Sequence, residues 1–265
     1  MEPLPIEFIS EGSRVCGRFF TAIGTDVPST LLFVPGWPAN PEDFLGLGPL
    51  LSQLGINMMD FYPRGLHQSE GIYTHSGALK DIGLAIRWLR QLDVQKQLKV
   101  DPDRLVLAGY SNGGGLAMVY ALQDPSVQRL ISIAGNDFGE FARQMQANSD
   151  FAEGIRAWLQ STRVPEGPAR FDPEAGLQEL MDHPEIFGLR ENAVKLAGRS
   201  ILLFGGWEDQ GPTIDQYQLP LYRALKSAGA EKVTFIVYHT DHSFKNVYQQ
   251  LATDIAEWLR REFSV

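Results

Sequence analysis

The sequence predicts an α/β fold, in which a mostly parallel sheet carries helices on both faces. Between residues 30 and 135, short and continuously apolar runs that are typical of buried strands alternate with segments that are typical of helices. Because a strand, a helix and a further strand form a right-handed crossover, this alternation predicts a doubly wound sheet of parallel neighbours. The alternation stops between residues 136 and 185 and then resumes. We therefore expect one core domain, residues 1–135 and 186–265, that carries a helical cap insertion at residues 136–185.

The first two strands are expected to differ from the rest. Residues 6–10 and 15–20 flank a Glu-Gly-Ser turn, which predicts a hairpin at one edge of the sheet. The clearest helix is residues 77–92, where Leu79, Ile82 and Ile86 share one face. Further strands are predicted at residues 30–34, 57–62, 105–108, 129–135, 200–205 and 233–238. Further helices are predicted at residues 41–54, after residue 113, at 138–147, 151–160 and 173–182, before Gly198, and at 214–228 and 243–263.

The insertion is rich in aromatic residues. Asp172 and Pro173 give a strong start signal for its last helix. We interpret most of the aromatic residues as the small core of the insertion itself. The functional interpretation is a lid over the catalytic face, with some of them lining an apolar substrate pocket. The aromatic residues concerned are Phe138, Phe141, Phe151, Trp158, Phe171 and Phe187.

Composition excludes several classes of protein. The 265 residues carry a net charge of −9, which argues against binding to nucleic acid or to an anionic membrane surface. Cys16 is the only cysteine, so no intrachain disulfide is expected. The first residues lack the basic and apolar segments of a secretory signal, and no apolar run approaches the length of a membrane span. A cytoplasmic protein is therefore expected, and its oligomeric state cannot be read from the sequence.

A Gly-x-Ser-x-Gly pattern joins a predicted strand to a predicted helix. Gly109-Tyr110-Ser111-Asn112-Gly113 follows a short apolar run and precedes a helix of small residues. In this context the pattern indicates a sharp turn with Ser111 at its tip, where the two glycines avoid clashes. The helix that follows favours negative charge near the serine. Ser111 is therefore the candidate nucleophile.

A serine nucleophile needs a base within hydrogen-bonding distance. In an open α/β sheet the base should stand in a loop at the carboxyl end of a strand. His242 occupies the loop between the last predicted strand and the last predicted helix. His239 is its rival, but it lies at the end of the strand, where a side chain points into the sheet layers. The other histidines, His67, His75 and His183, are interpreted as ordinary surface or core residues.

The base in turn needs an orienting carboxylate. Asp209 follows the strand predicted at residues 200–205 and is the candidate, with Glu208 as a rival. Asp215 is a weaker rival because it falls inside the next predicted helix. Ser111, Asp209 and His242 then follow one another in the chain order that is expected after a turn of this type.

Acyl transfer through a serine also needs N–H groups that stabilise the oxyanion. The backbone N–H of Asn112, the residue after the nucleophile, is one candidate. The second donor should come from the loop after the strand at residues 30–34. Pro35 and Pro38 have no N–H, which leaves Gly36 and Trp37. We select Trp37, whose indole could also form a wall of the pocket.

These residues resemble the α/β-hydrolase fold family of serine hydrolases. The resemblance covers residue 30 to the C-terminus. Two stretches carry the resemblance further. Asp-Pro-Asp-Arg at 101–104, with the strand and the Gly-x-Ser-x-Gly turn after it, resembles the branch of dienelactone-hydrolase-like esterases and prolyl-oligopeptidase-like peptidases, and residues 60–71 resemble a structural loop common to many members. The chain departs from the pattern in its Pro-Gly-Trp-Pro oxyanion loop. Its serine, in place of the cysteine of true dienelactone hydrolases or the aspartate of dehalogenases, disfavours those two chemistries.

The resemblance implies a hydrolase that cleaves a small-molecule carboxylic ester through an acyl-enzyme, with Ser111, His242 and Asp209 as a triad. Neither a metal nor an organic cofactor is expected. An amide, peptide or thioester substrate on the same triad is the alternative within enzymes. A non-catalytic ligand-binding protein on this fold is a further alternative, but such a protein would be expected to have lost part of the triad.

Overall fold

In the computed structural model, which describes residues 2–263, one eight-stranded sheet forms the centre of the fold. The strands are β1 (Leu4–Ser10), β2 (Ser13–Phe20), β3 (Ser29–Val34), β4 (Ile56–Phe61), β5 (Leu105–Tyr110), β6 (Arg129–Ile133), β7 (Ser200–Gly206) and β8 (Val233–Tyr238). Their order across the sheet is β1-β2-β4-β3-β5-β6-β7-β8. β1 and β2 form an antiparallel hairpin at one edge, β2 pairs antiparallel with β4, and the pairs from β4 to β8 are parallel. The predicted fold class is confirmed.

The core lies on both faces of the central strands. Every residue of β3, β4 and β7 is buried, because these strands are covered by helices on both sides. The helices are α1 (Leu47–Gln53), α2 (His75–Leu89), α3 (Leu92–Leu98), α4 (Asn112–Gln123), α5 (Phe138–Ala147), α6 (Ser149–Ser161), α7 (Pro173–Asp182), α8 (Pro184–Phe187), α9 (Leu219–Ser227) and α10 (Tyr248–Glu262). None of the helices within residues 2–263 combines the length and the apolar character that a membrane span requires.

Several predicted helices differ from the observed ones. The helix predicted at 41–54 is a 3₁₀ turn followed by α1, because Leu45 and Gly46 have φ values of 54° and 58° and interrupt it. The helix predicted at 243–263 begins only at Tyr248, since Phe244 has a φ of 55° and folds into the core. The helix predicted before Gly198 is a 3₁₀ turn, Ala193–Leu196. Periodicity of apolar residues cannot reveal such local left-handed residues.

The segment between β6 and β7 is helical, with α5 to α8 in succession. It has a small apolar cluster of its own, in which Met145, Ala152 and Leu177 are buried. Arg170 joins it to the core by exchanging backbone hydrogen bonds of 2.8 Å with Gly65 and Tyr73. The division of the chain into a core domain and a cap domain stays a prediction.

Arg199 fixes the end of α4 that is opposite Ser111. Its side chain is buried without a carboxylate among its hydrogen-bond partners, and burial lowers its pKa. Nη2 donates to the carbonyl of Ala121 at 2.6 Å and Nε donates to the carbonyl of Val127 at 2.8 Å. These carbonyls lie in and after the last turn of α4, where helical partners are missing. The guanidinium therefore acts as a C-terminal cap for this helix.

Arg199→Ala is expected to lower the free energy of unfolding by about 2–4 kcal/mol, because buried carbonyls lose their charged donor. Urea titration followed by circular dichroism measures this change. Arg223→Ala serves as the control, since Arg223 is exposed on α9, and it should change stability by less than about 0.5 kcal/mol. Equal effects of the two substitutions would show that the cap contributes nothing.

Candidate active site

Ser111 occupies a strained turn between β5 and α4. Its φ is 52° and its ψ is −117°, a combination that a residue with a side chain adopts only when its surroundings enforce it. A Cβ atom on Gly113 would lie 2.2 Å from the carbonyl oxygen of Val34, and one on Gly109 would lie 2.2 Å from the oxygen of Gly113. The two glycines therefore allow the turn to pack against β3. The turn directs the Ser111 side chain out of the sheet.

His242 and Asp209 lie next to Ser111. His242 Nε2 is 3.0 Å from Ser111 Oγ, and His242 Nδ1 is 2.8 Å from Asp209 Oδ2. Asp209 is 3% exposed, and its other oxygen accepts a hydrogen bond of 2.8 Å from the backbone N–H of Gly211. The three residues follow β5, β8 and β7, whose carboxyl ends meet at one edge of the sheet. The structure thus brings together the side chains that the sequence predicts as a triad.

The rival residues lie apart from this arrangement. The side chain of His239 is 87% exposed, and its Nδ1 lies 3.3 Å from Glu208 Oε1. These two residues form a surface pair. Ser111 Oγ is hydrogen-bonded to His242 and to neither of them. Asp215 lies in a π-helical turn, Ile214–Gln218, and makes no hydrogen bond to His242.

Tyr110 contacts His242 and stabilises the position of its backbone. Its hydroxyl donates a hydrogen bond of 2.6 Å to the backbone oxygen of His242, and the two rings are 5.1 Å apart. Burial raises the pKa of Tyr110, so the hydroxyl remains a donor at neutral pH. The residue before the nucleophile therefore holds the loop that carries the candidate base.

The backbone N–H groups of Trp37 and Asn112, the two predicted oxyanion donors, differ from that of Gly36 in their hydrogen bonding. The backbone N–H of Gly36 donates to the oxygen of Asp43 at 3.2 Å. Within residues 2–263, the backbone N–H groups of Trp37 and Asn112 donate to no protein acceptor. This difference favours Trp37 over Gly36, the choice that the sequence predicts. The catalytic roles of the triad and of these donors stay predictions.

The indole of Trp37 is a wall of the adjoining cleft. Its Nε1 donates to Thr162 Oγ1 at 3.0 Å, and its ring makes T-shaped contacts with Phe171 at 4.6 Å and Tyr73 at 4.7 Å. Thr162 and Phe171 belong to the insertion. The loop that supplies the candidate donor is therefore packed against the helical segment.

A cleft lies beside Ser111, and part of it is open to solvent. Its walls come from the core and from the insertion, and they are mainly apolar and aromatic. Of the six aromatic residues that the sequence singled out, Phe138, Phe141, Trp158 and Phe171 line the cleft. The aromatic residues thus contribute more to the cleft than to a separate core, although Phe141 also contacts the cluster of the insertion.

His75 also lines the cleft, and the sequence interpretation of this residue as ordinary missed its position. It begins α2, and its Nδ1 lies 3.4 Å from Glu179 Oε2 on α7. A signal was present, because His75 follows the loop after β4 and so stands at the same edge of the sheet as Ser111. Its partner in the insertion could not be read from the sequence.

Asp43 is a second carboxylate behind the candidate triad. Its Oδ2 accepts a hydrogen bond of 2.7 Å from the backbone N–H of Asn40, and its backbone oxygen holds Gly36. Burial raises the pKa of Asp43 to about 6, although the hydrogen bond from Asn40 and the charge of His242 oppose this rise. Asp43 therefore organises the loop that carries Trp37. In the described part of the chain, no group of three or more His, Cys, Asp and Glu side chains has a metal-binding arrangement.

Comparisons with known proteins agree with this architecture. A family model described as the alpha/beta hydrolase fold matches residues 29–168. The protein YfhR of Salmonella typhi is 33% identical over 107 residues, which are 39% of this chain and 35% of YfhR. This alignment therefore spans about a third of the curated relative.

Solved structures are similar over nearly the full chain. The esterase domain of a Rhodothermus marinus protein has a TM-score of 0.66 and 18% identity, with coverage of 98% of this chain and 99% of that one. The Pyrococcus furiosus esterase Pf2001 has a TM-score of 0.70 and 15% identity, with coverage of 98% and 91%. At these identities the likeness establishes the fold.

Gly113→Ala is expected to destabilise the protein by more than about 3 kcal/mol, because the added Cβ would collide with the backbone of β3. Thermal unfolding followed by circular dichroism measures this loss. Gly154→Ala is the matched control, since nothing lies within 4 Å of its Cβ position in α6, and it should raise stability by about 0.5–1 kcal/mol. A Gly113→Ala variant as stable as the Gly154→Ala variant would contradict the packing argument.

The Asp43→Asn variant is expected to gain stability relative to wild type as pH rises. A carboxyl whose pKa is raised on folding binds its proton more tightly in the folded protein, so its contribution is present at low pH and lost as pH rises from about 4 to beyond 6. Relative to that of wild type, the free energy of unfolding of the variant should rise by about 1–3 kcal/mol between pH 4 and pH 7.5. Urea titrations at both pH values test this. Glu42→Gln controls for removal of one surface charge, and a pH-independent Asp43→Asn difference would refute the expectation.

Proposed function

Since the chain belongs to the alpha/beta hydrolase fold family, we propose that it hydrolyses carboxylic esters with Ser111 as the nucleophile. One observation carries the proposal: continuous hydrogen-bonding contacts run from Ser111 through His242 to the buried Asp209, at 3.0 and 2.8 Å. A serine hydroxyl becomes a useful nucleophile at neutral pH only with such a base. The two esterases of similar fold support an ester as the substrate.

Acylation begins when Ser111 Oγ attacks the ester carbonyl carbon. His242 Nε2 takes the serine proton as the C–O bond forms. Asp209 keeps the other ring proton on Nδ1 and stabilises the imidazolium without accepting the proton itself. The tetrahedral intermediate then collapses, His242 gives its proton to the leaving alkoxide, and the alcohol departs from the acyl-enzyme.

The negative charge of the tetrahedral intermediate needs donors that are already in place. The backbone N–H groups of Trp37 and Asn112 fit this role, since neither has a protein acceptor within residues 2–263. Asn112 is also the first residue of α4, where the helix dipole favours an anion.

Deacylation repeats the sequence with water. His242 removes a proton from the water as its oxygen attacks the acyl carbon, and Ser111 leaves with that proton. The product is a carboxylic acid, and the chemistry requires neither a metal nor an organic cofactor.

The cleft is the expected site of the acyl group. A leaving alcohol must lie next to His242 to receive its proton. The cleft is lined by Ser111, Asn112 and Trp37, whereas His242 does not line it. The acyl group therefore fits the cleft, and the mainly apolar walls favour an uncharged acyl group.

In this proposal residues 136–185 act as a lid. They supply Phe138, Phe141 and Leu177 to the cleft, and they contact the core through Arg170 and Glu179. Replacement of this segment would change which esters fit while leaving the triad unaltered.

Labelling with a fluorophosphonate probe, followed by peptide mass spectrometry, tests the nucleophile. We expect one adduct, on Ser111, and turnover of 4-nitrophenyl acetate, butyrate and octanoate. Ser111→Ala and His242→Ala should remove the adduct, and Asp209→Asn should lower kcat by about 10⁴-fold, because the histidine loses its orienting carboxylate. The matching amide and thioester, assayed alongside, define the acyl-transfer range.

The rival residues provide the controls. His239→Ala and Glu208→Gln alter the neighbouring surface pair and should leave kcat/KM within about 2-fold of wild type, since exposed pairs contribute little. If folded wild-type protein gave neither an adduct nor turnover, the hydrolase proposal would fail and a ligand-binding role would take its place.

A further inference from the structure

His75 is a polar ring in the wall of the mainly apolar cleft. Among the described residues that line the cleft, none is Asp, Glu, Lys or Arg. The ring of His75 lies 5.5 Å from the ring of Tyr73 and 5.5 Å from that of Phe138. A polar group in such surroundings is costly unless it has a partner. The groups that lie beside its two ring nitrogens therefore decide what His75 can do.

Glu179 faces one of these nitrogens. Nδ1 of His75 is buried, has no hydrogen-bond partner among residues 2–263, and lies 3.4 Å from Glu179 Oε2, which makes the contact electrostatic. The Glu179 carboxylate also accepts backbone hydrogen bonds of 2.8 Å from His75 and 2.9 Å from Ser76. Burial raises the pKa of Glu179, but the hydrogen bonds from His75 and Ser76 together outweigh burial and hold the pKa at about 2. When the imidazole carries a single ring proton, the anionic carboxylate favours its position on Nδ1.

The other nitrogen, Nε2, is left to face the cleft. The side chain of His75 is 12% exposed. Its Nε2 is not fully buried, and it has no hydrogen-bond partner among residues 2–263. The neighbouring ring atom Cε1 lies 3.8 Å from the Cβ position of Gly176, which also lines the cleft. With the proton on Nδ1, Nε2 presents a lone pair to a bound molecule.

We infer that His75 is a specificity-determining residue that accepts a hydrogen bond from a hydroxyl group on the acyl part of the substrate. Glu179 acts through His75 as a positioning residue, because its carboxylate sets which ring nitrogen of His75 carries the proton. Phe138, Trp158 and Phe171 offer aromatic contacts to the same acyl group. The preferred substrates are thus esters of hydroxylated aromatic acids. This inference rests on the proposed ester hydrolysis.

Matched substrates isolate the hydrogen bond. Methyl esters of 3-phenylpropanoic acid carry a hydroxyl at ring position 2, 3 or 4, and each is compared with the fluoro compound at the same position, since fluorine is of similar size and cannot donate. For wild type, kcat/KM should favour the hydroxyl compound by at least ~5-fold at one or more positions. A general loss of structure moves both members of a pair equally, so the ratio reports the hydrogen bond alone.

Variants of His75 test the assignment. His75→Phe keeps an aromatic ring but removes the acceptor, so the ratio should fall to about 1–2. His75→Gln restores an acceptor oxygen near the position of Nε2 and should recover part of the ratio, and Glu179→Gln should lower it. His183→Phe is the control, because His183 is exposed and its Nδ1 lies 3.2 Å from Glu185, on the outside of the insertion. It should leave the ratio unchanged.

Two results would overturn the inference while leaving ester hydrolysis intact: equal rates for every hydroxyl and fluoro pair in wild type, or a hydroxyl preference that survives in His75→Phe. If wild type hydrolyses neither these esters nor the 4-nitrophenyl esters, the proposed function fails instead. Calorimetric binding of the corresponding free acids to wild type and His75→Phe then decides. Tighter binding of a hydroxy acid that is lost in His75→Phe supports the role of His75, and equal or absent binding refutes it.

Discussion

The strained backbone at Ser111 is the constraint on which the rest of the site depends. A positive φ at a non-glycine residue costs about 1–3 kcal/mol, and surrounding contacts must offset that cost. The N–H of Ser111 donates to the oxygen of Ile133 at 2.8 Å, and its own oxygen accepts from Asn136 at 3.1 Å and from Gly115 at 3.1 Å. β6 and the first turn of α4 thus hold the turn in place from both sides. The cap that Arg199 forms at the far end stabilises the same helix, so the orientation of Ser111 depends on residues well outside the site.

The sequence predicts the parts of this molecule that obey the geometry of parallel sheets. Ser111 and His242 are 131 residues apart, and Asp209 and His242 are 33 apart. They could nevertheless be selected together because each follows a strand, and the carboxyl ends of parallel strands meet at one edge. The strand bounds agree to within about two residues for the same reason, since continuously apolar runs leave few alternatives.

The parts that the sequence does not predict depend on contacts between distant segments. The break at Leu45 and Gly46 and the left-handed Phe244 leave no trace in apolar periodicity, because periodicity is averaged over several turns. His75 was interpreted as ordinary because its partner Glu179 lies 104 residues away on another helix. The cleft is likewise formed by α5, α6 and α7 against the core, and no local pattern specifies how these helices are placed.

Trp37 connects the two halves of the site. Its backbone N–H belongs to the proposed oxyanion hole, while its indole donates to Thr162 and packs on Phe171, both in the insertion. The Thr162 hydroxyl is itself held in place, since it also donates to the oxygen of Leu159 at 2.7 Å. On the other side, Asp43 holds Gly36 and Asn40 in the same loop. In the proposed mechanism, a change in the insertion that altered the fit of an acyl group would therefore also displace a donor of the proposed oxyanion hole, so the proposal links substrate selection and transition-state stabilisation through one residue.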